Sequence, residues 1–96
     1  MRIGFDATLW EYDEGGWHFV SVPEDLSDEI REQAGPVARG FGSLRVHATI
    51  GDTTWSTSVF PSKNGCYVLP VKKPVRRAEG LEADDVVHVS LQLRDL

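Results

Sequence analysis

The chain has 96 residues, of which 41% are hydrophobic and 26% charged, and Cys66 is its single cysteine. This size and composition predict one globular domain over residues 1–96, and a lone cysteine excludes an intrachain disulfide and a thiolate-rich zinc site. The formal net charge of −5 opposes non-specific attraction to nucleic acid and to anionic lipid.

The first third of the sequence predicts a β-hairpin followed by a surface helix. Residues 3–9 alternate apolar and polar side chains, which is typical of a half-buried strand. Residues 13–16 favour a turn because glycine adopts positive φ without a steric penalty, and residues 17–22 predict the return strand. The segment 24–34 predicts a helix with a thin apolar stripe, formed by Leu26, Ile30 and Ala34.

The rest of the chain predicts four more strands and a second short helix. Residues 41–50 and 86–93 alternate most clearly, and 53–60 and 66–71 are rich in β-branched or aromatic residues. A short helix is expected over 73–79, with Pro74 in its first turn and Gly80 at its end. Six short strands with one or two short helices predict a mostly-β fold, a small closed six-stranded β-barrel without exposed edges.

Several runs of residues resemble a bacterial family, DUF1905, which is a domain of unknown function. They are Arg39-Gly40-Phe41-Gly42-Ser43, the spacing Gly51…Trp55…Thr57-Ser58…Phe60-Pro61, and Tyr67-Val68-Leu69-Pro70-Val71-Lys72-Lys73. The resemblance covers nearly the whole chain and implies a small closed β-barrel, found alone or fused to other domains, with no assigned reaction. The family usually has Gly-Asp where this chain has Asp84-Asp85.

A basic cluster is the leading candidate site. Residues 1–36 contain nine acidic and two basic side chains, whereas the stretch 63–77 contains five basic side chains and no acidic one. A strand-to-helix junction at this point would add helix N–H donors, so we expect a phosphate or carboxylate site. Its residues are Lys72, Lys73, Arg76 and Arg39. Surface charge runs usually have no specific partner, so solubilising side chains, some paired with acids of the first helix, are the alternative.

Aromatic residues give a second candidate for the same site. Trp55 lies on a predicted strand close to Ser58, and these two residues with Tyr67 are expected to line a ligand pocket, since aromatic side chains with polar tips often frame such sites. The alternative is that the aromatic side chains pack in the core, as is common in a domain of this size.

Metal and catalytic chemistry have little support in the sequence. The three histidines lie on separate predicted strands without a carboxylate at ligand spacing, so we expect neither a metal nor a cofactor. No serine or cysteine lies in a recognised nucleophile motif, so no catalytic residue is assigned, and an enzymatic function is unsupported by the sequence without being excluded by it.

The leading hypothesis is therefore a binding module for a small anionic ligand or for the acidic segment of a partner protein. The alternatives are a nucleic-acid-binding module, which the net charge disfavours, a structural interaction domain, and a small hydrolase or isomerase with an unrecognised site. The lone cysteine and the lack of a signal-type or membrane-spanning apolar run predict a cytoplasmic protein without membrane contact.

Overall fold

The computed structural model describes residues 1–34 and 42–94. In that part of the chain the fold is mostly β with two short helices, as predicted. The strands are β1 (Arg2–Thr8), β2 (Trp10–Tyr12), β3 (Trp17–Ser21), β4 (Leu44–Ile50), β5 (Thr53–Pro61), β6 (Tyr67–Pro70) and β7 (Val86–Leu93). The helices are α1 (Glu24–Ala34) and α2 (Lys73–Glu79), which match the predicted segments. Neither helix has the length and apolar character needed to cross a membrane.

The strands form one curled sheet in the order β1-β7-β4-β5-β6-β3-β2, with antiparallel pairing throughout. This sheet is an open half-barrel of seven strands, so the prediction of a closed six-stranded barrel is wrong in strand number and in closure. Within the described residues, β1 and β2 are the two ends of the ladder, and each leaves one edge unpaired.

The first predicted strand, residues 3–9, ends at Leu9, and β2 follows it as a further strand that the sequence did not predict. The Leu9 N–H donates to the Asp85 carbonyl at 2.8 Å, and the Asp84 N–H donates to the Leu9 carbonyl at 2.7 Å. The segment before Leu9 therefore pairs with β7, while the three residues after it pair with β3. The predicted hairpin between residues 3–9 and 17–22 is therefore wrong, because the strand that pairs with β3 across the 13–16 turn is β2.

The core lies on the concave face of the sheet. Alternation along the strands directs one set of side chains inward, and Ile30 and Ala34 of α1 join the same apolar cluster. The opposite, convex face carries polar side chains on its central strands, which leaves this face available to solvent. The fully buried side chains include Leu9, Val20, Val46, Leu69, Val89 and Leu91.

Ser27 connects α1 to the sheet through buried hydrogen bonds that the apolar stripe did not predict. Its hydroxyl donates to the Val22 carbonyl at 3.1 Å and accepts from the Tyr67 N–H at 3.0 Å. The side chain is completely buried, whereas Leu26, a predicted stripe residue, is only partly buried. The helix is therefore anchored by a polar contact as well as by apolar packing.

We expect Ser27→Ala to lower the free energy of unfolding by about 1–3 kcal/mol, because the Tyr67 N–H would lose its acceptor in a buried environment. Urea denaturation followed by circular dichroism measures the change. Ser90→Ala, on the convex face of β7, is the matched control and should change stability by less than about 0.5 kcal/mol. Equal effects of the two substitutions would contradict the anchoring role of Ser27.

Asp84 has φ of 77°, a left-handed conformation that glycine adopts more readily than other residues. This is the position at which the resemblance predicts glycine, so the backbone geometry is compatible with the Gly-Asp pattern. Aspartate tolerates the conformation better than most residues because its short polar side chain can hydrogen-bond locally. The turn that fixes Leu9 thus contains a locally strained residue.

Asp84→Ala should lower the free energy of unfolding by about 1 kcal/mol, since alanine is disfavoured in the left-handed region. Asp84→Gly should not lower it, because glycine has no Cβ to clash there. Thermal unfolding of both variants beside the parent chain tests this. A glycine variant less stable than the alanine variant would be inconsistent with a left-handed residue 84.

Candidate functional site

The backbone of Val71 positions the basic residues beside the β2–β3 hairpin. Its N–H donates to the His18 carbonyl at 2.9 Å, which ties the end of β6 to β3. Its carbonyl accepts a hydrogen bond of 2.6 Å from Nη1 of Arg76 in α2. The Val71 side chain is buried, so packing reinforces both contacts. The start of α2 is consequently fixed next to the hairpin.

A cleft of about 420 Å³ opens between the hairpin and the start of α2. We call it the hairpin cleft, and its lining includes Gly16, Trp17, His18, Lys72, Lys73 and Arg76. Gly16 has φ of 81°, so the turn that carries Trp17 depends on a left-handed residue. The volume is in the range of small-molecule sites, which is roughly 300–1,000 Å³.

The cations of the hairpin cleft make no ion pair with a described acid, although Glu82 lies close enough to Lys73 and Arg76 to share a neighbouring surface pocket with them. Among the side chains that the structure describes, which do not include that of Glu14, the ion pairs are Arg31 with Asp28 and His88 with Asp6, and neither involves Lys72, Lys73 or Arg76. The acids of α1 therefore do not neutralise the cluster in the described structure. Unneutralised cations on the wall of a cleft attract anions, because low-dielectric walls focus their field.

Side chains rather than the helix end supply the donors of this cleft. Pro74 has no N–H, and the N–H groups of Val75 and Arg76 both donate to the Lys72 carbonyl. The expected contribution of helix N–H donors is therefore small. The contact with Val71 occupies one edge of the half-buried Arg76 guanidinium, which has further N–H donors.

His18 is oriented by the turn that precedes it. Its Nδ1 lies 2.8 Å from the Gly16 carbonyl. A carbonyl only accepts, so we assign the proton of the neutral imidazole to Nδ1, which leaves Nε2 as an acceptor. Protonation of the ring would add an N–H donor to the same cleft.

A second cleft, of about 550 Å³, adjoins the first and shares Trp17, Pro70 and Lys72 with it. We call it the outer cleft. It lies over the convex face of β4 and β5, where Arg45 and Ser58 are cross-strand partners. Arg94 is adjacent, because its N–H donates to the Arg45 carbonyl at 3.1 Å. Its other lining residues are Ser56, Thr57 and Phe60.

A family model described as "Domain of unknown function (DUF1905)" matches residues 5–91. The chain belongs to the DUF1905 family. A search of curated proteins found none that matches the chain. The family assignment agrees with the resemblance found in the sequence and brings no activity with it.

The structure of this DUF1905 domain brings part of the predicted site together. Lys72, Lys73 and Arg76 line the hairpin cleft, and Ser58 lines the outer cleft. The basic side chains of the acid-free stretch do not all meet there, since Lys63 and Arg77 line neither cleft. Arg39 lies outside the described residues.

Trp55 and Tyr67 of the DUF1905 domain do not line either cleft. Trp55 is partly buried and packs against the core, and its Nε1 is buried without a hydrogen-bond partner among the described residues. Tyr67 is buried beneath α1, with the Arg31 guanidinium 5.6 Å from the ring centroid. Both rings are on the core side of the sheet, away from Ser58.

Sequence reasoning missed Trp17, His18, Arg45 and Arg94, which line the two clefts with the basic cluster. Of these four residues, only Arg45 could have been placed beside a predicted site residue from the sequence. The tight turn at Gly51 and Asp52 sets the register of β4 and β5, and counting back from it pairs Arg45 with Ser58. The other three reach the two clefts through pairing between distant segments.

The same register pairs Ser56 with His47, whose Nδ1 lies 3.1 Å from the Ser56 hydroxyl. A serine nucleophile also requires a group that orients the histidine and donors for the developing oxyanion. No described acid pairs with His47, so the arrangement is a cross-strand hydrogen bond. No three His, Cys, Asp or Glu side chains in the described ranges are placed to hold a metal ion.

Arg76→Ala should lower the free energy of unfolding by about 1 kcal/mol, because the Val71 carbonyl loses its charged donor. Arg77→Ala is the matched control, since Arg77 is the next residue on α2, is exposed, and has a side chain that makes no hydrogen bond or ion pair with a described residue. The control should leave stability unchanged. Chemical denaturation of both variants measures these changes. An equal loss of unfolding free energy in the two would refute an anchoring role for Arg76.

Proposed function

We propose that this DUF1905 domain is a binding module whose hairpin cleft takes a small anionic ligand or the acidic segment of a partner protein. The observation that carries the proposal is the convergence of Lys72, Lys73 and Arg76 on one cleft whose described lining holds no carboxylate, with none of the three in an ion pair with a described side chain. The three cationic side chains carry hydrogen-bond donors and no acceptor, which suits them to binding phosphate or carboxylate oxygens.

The donors of the cleft differ in a way that favours a phosphate or carboxylate group. Arg76 is half-buried and oriented through Val71, so its planar guanidinium is pre-arranged to donate to two oxygens. Lys72 and Lys73 are exposed and flexible, and they add charge without fixed geometry. The arginine would therefore select the group and the lysines would strengthen its binding.

The overall charge of the chain is consistent with a local site and disfavours extended polyanions. The net charge of −5 repels a long anion, whereas a small one interacts mainly with the charges within a Debye length, about 8–10 Å in ordinary buffers. The single cysteine further supports the proposal of a cytoplasmic setting, because the chain carries no intrachain disulfide.

Titration of the whole chain with pyrophosphate and with citrate, followed by ¹H–¹⁵N NMR, tests this function. We expect the amide signals of His18, Val71 and Lys73 to move with saturation at millimolar ligand or below. Arg76→Gln should weaken binding about tenfold or more, because a charge-assisted hydrogen bond is lost. Arg77→Gln, which removes the same charge from the next residue, should change affinity by less than about twofold.

The proposal is wrong if neither anion shifts these amides at 10 mM, roughly tenfold above the millimolar concentration at which we expect saturation. It is also wrong if Arg76→Gln and Arg77→Gln weaken binding equally, since a diffuse charge effect would then explain the result. Lowering the salt concentration in both titrations separates a screened surface attraction from a defined contact.

A further inference from the structure

Trp17 stands between the hairpin cleft and the outer cleft and borders both. Its side chain is 60% exposed although it is the largest apolar group in the neighbourhood. Phe19 is stacked beside it, with an interplanar angle of 12° and ring centroids 6.4 Å apart. The indole is therefore an exposed, planar surface whose orientation is supported from within the hairpin.

The outer cleft combines this aromatic surface with polar and cationic groups. Phe60 is also a lining residue and is 43% exposed. Arg45, Ser56 and Ser58 extend from the convex face of the sheet into the same cleft, and Lys72 is common to both clefts. A planar ring placed against Trp17 would thus meet hydrogen-bonding groups at its edge and a cation toward the hairpin cleft.

We propose that the ligand of this domain is a nucleotide, bound with its phosphate in the hairpin cleft and its base against Trp17 in the outer cleft. This inference rests on the proposed anion-binding function and specifies the ligand class. Lys72, Lys73 and Arg76 would bind the phosphate, and Arg45 and Ser58 would hydrogen-bond the edge of the base. Lys72 links the two parts because it lines both clefts.

The chemistry of the two clefts favours a nucleotide over a plain phosphorylated metabolite. A ligand without a ring would leave Trp17 and Phe60 exposed, so these side chains would add nothing to its binding. Stacking of a base on an aromatic side chain strengthens binding by roughly five- to a hundredfold. The outer cleft, at about 550 Å³, has room for one nucleoside.

The test compares adenosine monophosphate with ribose 5-phosphate and inorganic phosphate, each titrated into the whole chain by NMR and calorimetry. We expect the nucleotide to bind about tenfold tighter than ribose 5-phosphate. Trp17→Ala should remove this advantage and leave ribose 5-phosphate binding unchanged, whereas Trp17→Phe should retain most of it. Arg45→Gln should weaken the binding of adenosine monophosphate and leave that of ribose 5-phosphate and inorganic phosphate unchanged.

Tyr12→Ala provides the matched aromatic control. Tyr12 is the cross-strand partner of Trp17 and is 57% exposed, but it does not line either cleft. The Tyr12→Ala substitution should leave the affinity for adenosine monophosphate unchanged. Circular dichroism and thermal unfolding of every variant show whether a loss of binding reflects a loss of fold, and Arg45→Gln tests the outer cleft without altering the aromatic hairpin.

The outcomes separate this inference from the proposed function. Equal affinities for adenosine monophosphate and ribose 5-phosphate, both weakened by Arg76→Gln, would overturn the nucleotide and leave the anion site intact. No binding of any of the three ligands would overturn both. If a thymidine oligonucleotide binds more than tenfold tighter than the mononucleotide, with a steep salt dependence, the nucleotide inference is overturned and the ligand is single-stranded nucleic acid.

Discussion

The two backbone hydrogen bonds of Val71 determine how the basic residues lie against the sheet. One bond connects the end of β6 to His18, and the other connects the same residue to the Arg76 guanidinium. Because the Val71 side chain is buried, this junction cannot move without disturbing the core. A rigid strand-to-helix junction therefore positions Arg76, while the two lysines beside it remain exposed.

The distribution of charge around this junction is the second feature that defines the candidate site. The chain is acidic as a whole, yet the acids of α1 pair only with Arg31 of the same helix in the described structure. The three cationic residues of the hairpin cleft make no ion pair with a described acid, and the Arg76 guanidinium donates a hydrogen bond to the Val71 carbonyl. The exposed Trp17 lies beside them at the tip of the neighbouring hairpin, so cationic and aromatic groups share one side of the molecule.

Local patterns in the sequence predicted much of the fold. Both helices occupy the predicted segments, because their proline, glycine and apolar signals act within one or two turns. Strict alternation predicted β4 and β7 equally well. The predicted number of strands was wrong, since β1 and β2 are separated at Leu9, whose hydrogen bonds go to Asp84 and Asp85, more than seventy residues away in the chain. Nothing near Leu9 in the sequence indicates it.

The sequence by itself determined the element types, the single core and the acid-free basic stretch, because each depends on neighbouring residues or on composition. Only the tertiary structure decided which side chains share a cleft. Alternation tells on which face a residue lies, but strand pairing and the curl of the sheet decide its neighbours across the chain. For that reason Lys72 lies with Trp17, Arg45 and Arg94 rather than with Trp55 and Tyr67.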